Sequence, residues 1–169
     1  MQRNERIQLR KLETYDLDFM VKLASDPEVA RFIPGLIEDA GMMAMWADSL
    51  NDDEHEYVIL LNETGEPVGE CSLTVTKDSA EIGLMIKSEC WGKGYGTEAI
   101  QRLMLIAQTL GIYKLIALTD TRNEAMRHTL EKLGFQKKAQ GWLLWTDEAD
   151  DQAEPAQQTM IQYEKMISP

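Results

Sequence analysis

The stretch from Ala80 to Thr97 constrains this chain more than any other. An alternating segment, Ala80-Glu81-Ile82-Gly83-Leu84-Met85-Ile86, leads into a glycine loop, Gly92-Lys93-Gly94-Tyr95-Gly96-Thr97, and a helical pattern starts near Glu98. A strand feeding a glycine-rich loop that opens a helix builds an anion site. The first-turn N–H groups have no helical partners, and the helix dipole favours negative charge there. Glycine lets the backbone approach a phosphate closely. The loop therefore reads as a phosphate cradle.

A chain of 169 residues is long enough for one domain with a proper core and too short for two of ordinary size, so residues 1–169 are expected to form a single domain. Hydrophobic residues at 44% and charged ones at 27% fit a soluble globular protein. Met1 to Arg6 leads into no apolar stretch, which makes the cytoplasm the expected location and a membrane partner unexpected. The net charge of −12 repels a phosphate backbone, so nucleic acid is not an expected partner; a cationic or amine-bearing one is. Cys71 and Cys90 have no metal spacing and are expected as free thiols, with no metal site.

The rest of the chain alternates strand and helix signals. Arg6 to Leu12 predicts a strand, and Asp16 starts a helix bearing Phe19, Met20 and Leu23. Pro27 and Pro34-Gly35 punctuate the next stretch of chain. A second helix is predicted over residues 38–50, with Met42, Met43, Met45, Trp46 and Leu50, and then a charged loop to Glu56. Tyr57–Leu61, Val68–Thr76 and Ala80–Lys87 are three successive strands, the first two joined by the turn chemistry of Glu63-Thr64-Gly65-Glu66-Pro67. The helix after the glycine loop aligns Ala99, Leu103, Ala107 and Leu110 on one stripe and stops at Gly111. Lys114–Thr119 is a buried strand, and Asn123 caps a helix holding Met126, Leu130 and Leu133. Phe135 begins a further strand, and Gly141–Thr146 and Thr159–Met166 are two final antiparallel ones. Helices alternate with strands only in the middle, which predicts an α+β fold with a mixed sheet.

Three ligands compete for the loop. A nucleotide P-loop needs GxxxxGK[ST], and the spacing here does not supply it. Gly94-x-Gly96-x-x-Ala99, with Asp120 ending the next strand, fits a dinucleotide fingerprint. Against it, Ser88 to Trp91 separate strand from loop, and too little chain remains after Phe135 for a second wound half. The third ligand is acyl-coenzyme A. Residues 80–135 resemble the central region of the GNAT superfamily of N-acetyltransferases, most of all its RimJ/RimL-like branch. The matching features are Glu-Ile-Gly at 81–83, Trp-Gly-Lys-Gly-Tyr-Gly-Thr-Glu-Ala at 91–99, Asn123, and Glu-Lys-Leu-Gly-Phe at 131–135. Leu9 to Leu12 and Asp26 to Val29 resemble that branch too.

The resemblance implies a mixed, mostly antiparallel sheet of about seven strands flanked by about four helices. It implies acetyl-CoA as co-substrate, its arm lying in a splay between strands 80–87 and 114–119. The arm would pair with the backbone around Met85 and Ile86, and the pyrophosphate would sit on the N–H groups of Gly92, Lys93, Gly94, Tyr95, Gly96 and Thr97. Asn123 matches the position that bonds the cofactor arm. A small-molecule or peptide amine is the implied acceptor, and a homodimer the implied assembly.

Acetyl transfer needs a neutral amine, so a base must take a proton. Glu81 is the candidate, sharing a strand face with Gly83, which leaves room for the acetyl group, and with Met85. Glu70 on the adjacent strand is the substitute. The backbone N–H near Met85 is the expected donor to the carbonyl oxygen. The family's tyrosine and serine positions hold Leu130 and Met126, so the source of a proton for the leaving thiolate is open and water is one answer. That departure sustains a second reading, a non-catalytic acyl-CoA-binding module. His128 reads as a surface residue, Cys71 as core, the 42–46 methionines and Trp46 as a helix face, Trp142 and Trp145 as a flat apolar wall, and Asp147 to Asp151 as a solvated loop.

Overall fold

The computed structural model describes residues 5–33, 55–145 and 156–168. Among these, seven strands form one sheet: β1 (Ile7–Lys11), β2 (His55–Leu61), β3 (Pro67–Val75), β4 (Ala80–Ile86), β5 (Lys114–Asp120), β6 (Gln136–Trp145) and β7 (Ala156–Met166). The spatial order is β1-β2-β3-β4-β5-β7-β6. Four helices accompany them among the described residues, α1 (Leu17–Ala24), α2 (Pro27–Ala30), α3 (Tyr95–Thr109) and α4 (Glu124–Lys132). The mixed α+β fold and the seven-stranded, mostly antiparallel sheet are those expected.

Short connections make the first half antiparallel. Between β2 and β3, Leu61 N donates to Glu66 O at 2.9 Å and Gly65 N to Leu61 O at 2.8 Å, a tight reversal with Gly65 at φ 72°. Between β3 and β4, Thr76 N donates to Ser79 O at 2.8 Å. The connection from β4 to β5 contains α3, and a crossover of that length returns the chain parallel.

Each sheet face buries its own cluster. On one, Ile59, Cys71, Leu73, Ile82, Leu115 and Tyr163 meet Ala99, Ile100, Leu103 and Ala107 of α3 and Leu130 of α4. On the other, Val58 and Leu60 meet Leu17, Met20 and Ala24 of α1, with Met85 packed alongside. Strand alternation sends neighbouring residues to opposite clusters, so Leu84 joins the first and Met85 the second.

Several boundaries differ from the sequence expectation. Helix α3 begins at Tyr95, not near Glu98, because Gly94 takes the left-handed conformation at its N-cap. Leu110 is 42% exposed at the end of the stripe, because the helix stops at Thr109. Helix α2 lies where the sequence shows only punctuation. One turn has no periodicity to show, and it stands on Asp26, whose side chain accepts from Glu28 N, with Pro27 in the first turn. Strand β2 starts at His55, inside the expected loop, and β7 at Ala156. Strand β6 is continuous from Gln136 to Trp145, absorbing two expected strands with a register irregularity between Lys137 and Ala139. Cys71 and Cys90 are buried free thiols, His128 is exposed, and Trp142 is 70% exposed. The helix expected at 38–50, the acidic run after Asp147 and the Trp145 side chain lie outside the described residues.

Two glycines meet close neighbours on the β3–β4 ladder. A Cβ at Gly69 would overlap the backbone oxygen of Met85 and stand 2.8 Å from Ile86 Cδ1, whereas one at Gly83 would overlap only the Ser72 hydroxyl, which can rotate. Gly69→Ala is expected to cost about 1–3 kcal/mol in urea unfolding, and Gly83→Ala clearly less. Equal losses would contradict this placement.

Candidate active site

Strands β4 and β5 pair at only two positions, Ala80 with Leu115 and Glu81 with Ile116. Beyond them β4 runs on to Ile86 and β5 to Asp120 without pairing to each other. Each strand stays bound on its far side: β3 accompanies β4 to the Gly69–Ile86 pair, and β7 accompanies β5 to the Asp120–Met160 pair. The gap is therefore a V held open by two intact ladders. It is the splay expected between these strands.

At the open end, Trp91 Nε1 donates to Ile86 O at 2.8 Å and folds the linking segment against the end of β4. Gly92 and Gly94 have φ of 74° and 83°, values that glycine adopts freely. Gly94 carries no side chain to cap α3, so the first-turn N–H groups of residues 95–97 keep no side-chain partner from their N-cap. Arg6 steadies the loop: its Nη1 donates to Lys93 O at 2.7 Å, and its Nε lies 3.1 Å from Glu98 Oε2. Glu98 Oε1 also accepts from Arg6 N at 2.9 Å and Ile7 N at 3.3 Å, tying β1 to the first turn of α3. Sequence reasoning missed Arg6 and Glu98 as loop supports. An acidic residue in the first turn of a helix was the available signal.

The register places Glu81, Gly83 and Met85 opposite Thr74, Ser72 and Glu70, so all six share the face that α1 covers. Glu81 stands at the last paired position, the vertex of the V, and reaches solvent. Partial loss of water raises its pKa. Glu70 is 5% exposed, and burial, with the nearby Glu56 charge, pushes its carboxyl up to about 8 against a Ser72 bond that pulls the other way. The room expected at Gly83 is taken by the Ser72 hydroxyl, which occupies the space of a Cβ there.

Asn123 is the N-cap of α4, with Oδ1 accepting from Met126 N at 3.1 Å. Leu130 is fully buried in the larger core and Met126 packs against it, so the helix positions that the family resemblance marks carry packing residues. Tyr163 reaches the same helix from β7, and its hydroxyl donates to Glu131 Oε1 at 2.7 Å. At the end of β5, Asp120 is 1% exposed. Burial alone would raise its pKa, but bonds from Arg122 and Gln158 prevail and hold it low.

An open splay ending at an uncapped, glycine-lined helix start fits a long ligand with an anionic end. The GNAT acetyltransferase domain family matches residues 6–136. This chain belongs to the GNAT acetyltransferases. It is 31% identical over 144 residues to the uncharacterized N-acetyltransferase p20 of Bacillus licheniformis, covering 79% of this chain and 81% of that one. The spermidine N-acetyltransferase of Vibrio cholerae, solved in complex with CoA and spermine, is similar in structure, with a TM-score of 0.77 at 20% identity over 96% of each chain. yncA from Salmonella typhimurium, solved with its cofactor acetyl-CoA, has a TM-score of 0.74 at 15% identity, covering 96% of this chain and 95% of that one. As a GNAT protein, the chain is an acetyl-CoA-dependent N-acetyltransferase, and acetyl-CoA is its co-substrate.

Glu70 makes the fold of this GNAT domain pH-sensitive. Its folded pKa of about 8 lies above the ordinary 4.5, so between those values the folded state keeps a proton that the unfolded state has lost. The stability that Glu70 contributes is then fully present below pH 4.5, is lost as pH rises from there toward 8, and is gone above. Glu70→Gln is expected to flatten this slope, a change on the order of a few kcal/mol in unfolding free energy. Melting curves from pH 5 to 9 with the same slope in both proteins would contradict the assignment.

Proposed function

We propose that this chain transfers the acetyl group of acetyl-CoA to a primary amine by direct attack, with Glu81 as the base. The observation that carries the reading is the position of Glu81 at the vertex of a splay whose mouth is a glycine cradle. The five residues from Ile82 to Ile86 rise about 17 Å, a span suited to an extended pantetheine arm between thioester and pyrophosphate. In this reading the backbone of Met85 and Ile86 guides the arm, the N–H groups of Gly92, Lys93, Gly94, Tyr95, Gly96 and Thr97 hold the pyrophosphate, and Asn123 borders the arm from the end of β5. Since Ile86 O is already engaged by Trp91, Ile86 would contribute through other atoms.

Acetyl-CoA supplies the acetyl group as a thioester. The amine nitrogen forms the new bond to the carbonyl carbon, the carbon–sulfur bond breaks, and Glu81 takes the amine proton. Met85 sits opposite Glu70 in the same alternation as the Lys87 N–Val68 O bond, so its N–H points to β3. The N–H groups that β4 turns toward the developing oxyanion in the splay are those of the even positions flanking it, Leu84 and Ile86. Solvent supplies the thiolate proton, since Leu130 and Met126 offer none. A thiol with pKa near 8.5 also leaves tolerably as the anion. Partial loss of water raises the Glu81 pKa and so makes its carboxylate a stronger base than a free one. The motifs at 91–99 and 131–135, with Asn123, support a place in the RimJ/RimL-like branch.

In this reading the buried Leu130 removes a side-chain acid without removing turnover, and release of free thiol from acetyl-CoA with an amine panel measures that turnover. Glu81→Gln is expected to lower kcat about a hundredfold, to leave acetyl-CoA affinity near wild type, and to remove the acidic limb of the kcat/KM profile, along which the wild-type rate rises with pH. An unaltered profile in that variant would take Glu81 out of the mechanism. Gly94→Val places a branched side chain at a positive φ in the cradle, and calorimetry should show acetyl-CoA binding weakened by roughly tenfold or more. Wild-type affinity would move the pyrophosphate elsewhere.

A further inference from the structure

A loop that presents N–H groups to an anion turns carbonyl groups the other way, and these need donors of their own. Two neighbouring peptides of the cradle are held differently. Gly94 O accepts from Glu98 N at 3.2 Å, so α3 itself fixes the peptide between Gly94 and Tyr95. The peptide between Lys93 and Gly94 lies outside the helix. Gly92 and Gly94 stand on either side of Lys93, both at positive φ, so local sterics restrain this peptide weakly. Its carbonyl is held from outside the loop: Arg6 Nη1 donates to Lys93 O at 2.7 Å.

A trans peptide is planar, its C=O and N–H pointing in opposite directions, and no cis peptide occurs among the described residues. Holding Lys93 O toward Arg6 therefore turns the Gly94 N–H away from Arg6. Arg6 approaches from the β1 edge of the sheet, on the far side of β4 from the splay. Among the described residues no group accepts from the Gly94 N–H. A flip of this one peptide would put a carbonyl oxygen where the donor is, and that oxygen would repel an anion.

Three further contacts hold the guanidinium. Its Nε lies 3.1 Å from Glu98 Oε2, its carbon lies 5.2 Å from the centre of the Tyr95 ring, and its Nη2 stands 3.2 Å from where a Gly94 Cβ would be. Glu98 is anchored in turn by Arg6 N, Ile7 N and, at 3.8 Å, Arg102 Nη2. The adjacent carboxylate offsets the Arg6 charge, so the arginine supplies direction more than a free cation. A planar fork that bonds a carboxylate through one nitrogen and a carbonyl through another is a geometry that lysine cannot copy.

We propose that Arg6 is a positioning residue for the donor: by holding Lys93 O it aims the Gly94 N–H at the pyrophosphate of acetyl-CoA and so sets donor affinity. The inference rests on the proposed seat of the pyrophosphate on residues 92–97.

Wild type, Arg6→Gln and Arg6→Lys are titrated with CoA and with pantetheine, which has the arm but no pyrophosphate. Calorimetry gives the CoA dissociation constant, and backbone amide resonances follow both ligands. The CoA dissociation constant is expected to rise about tenfold to a hundredfold in both variants, the range for a hydrogen bond to a charged group. Pantetheine should bind all three proteins alike. CoA should move the Gly94 amide proton of wild type downfield, and that of each variant by less than half as much. An arginine that only supports the fold would weaken both ligands equally, and that result overturns the inference. So does wild-type CoA affinity in the variants, or an undiminished Gly94 shift. Should Arg6→Gln not fold, Arg6→Lys carries the same readouts. If CoA shifts no amide from Gly92 to Thr97 in wild type, the seat of the pyrophosphate falls and the inference with it; if those amides shift alike in wild type and variants, the inference alone falls.

Discussion

Strands β4 and β5 run parallel for two residue pairs and then part, and most of what this protein can do depends on that parting. Backbone polar groups inside a sheet are ordinarily satisfied by the next strand, and leaving them unpaired away from water is costly. Here each strand is secured on its other side, β4 by β3 and β5 by β7, so the V cannot close by one strand sliding over. A ligand with amide groups along its length can take the place of the missing ladder. The glycine loop then lies where an anionic end would emerge, because α3 starts from the segment just after β4. Arg6 and Glu98 keep that start attached to the first strand of the sheet.

Two carboxylates face the α1 side of the splay, and their surroundings separate them. Glu70 is enclosed and holds its proton to about pH 8, whereas Glu81 keeps access to solvent at the vertex. A base must exchange its proton with water between turnovers, which favours the accessible group. Asp120 shows the opposite outcome at the end of β5: its side chain is covered too, though by shallower surroundings than those of Glu70, and bonds from Arg122 and Gln158 keep it charged. Burial alone therefore does not set the charge of a carboxylate; the donors within reach do.

Much of the fold was legible because its signals are local. Turn residues marked the β2–β3 reversal, alternation marked β3 and β4, and the apolar stripe of Ala99, Leu103 and Ala107 marked the core face of α3. Elements with weak local patterns were lost or misplaced. Helix α2 is a single turn, and the irregular register near Lys137 made β6 look like two strands. In the site, the glycine loop and Glu81 could be named from the sequence. The occupation of the Gly83 space by Ser72 could not, since it depends on which residues stand opposite across a ladder.

The sequence by itself determined the succession of strand, glycine loop and helix between Ala80 and Thr109. Neighbouring residues set those conformations, and Gly94 permits the left-handed turn that starts α3. Only the tertiary structure decided that β5 would leave β4 after Glu81 and that Glu70 would be enclosed beside Met85. These are relations between segments far apart in the chain. They are fixed by strand register and by which helix covers which face, and no local pattern of residue types records either.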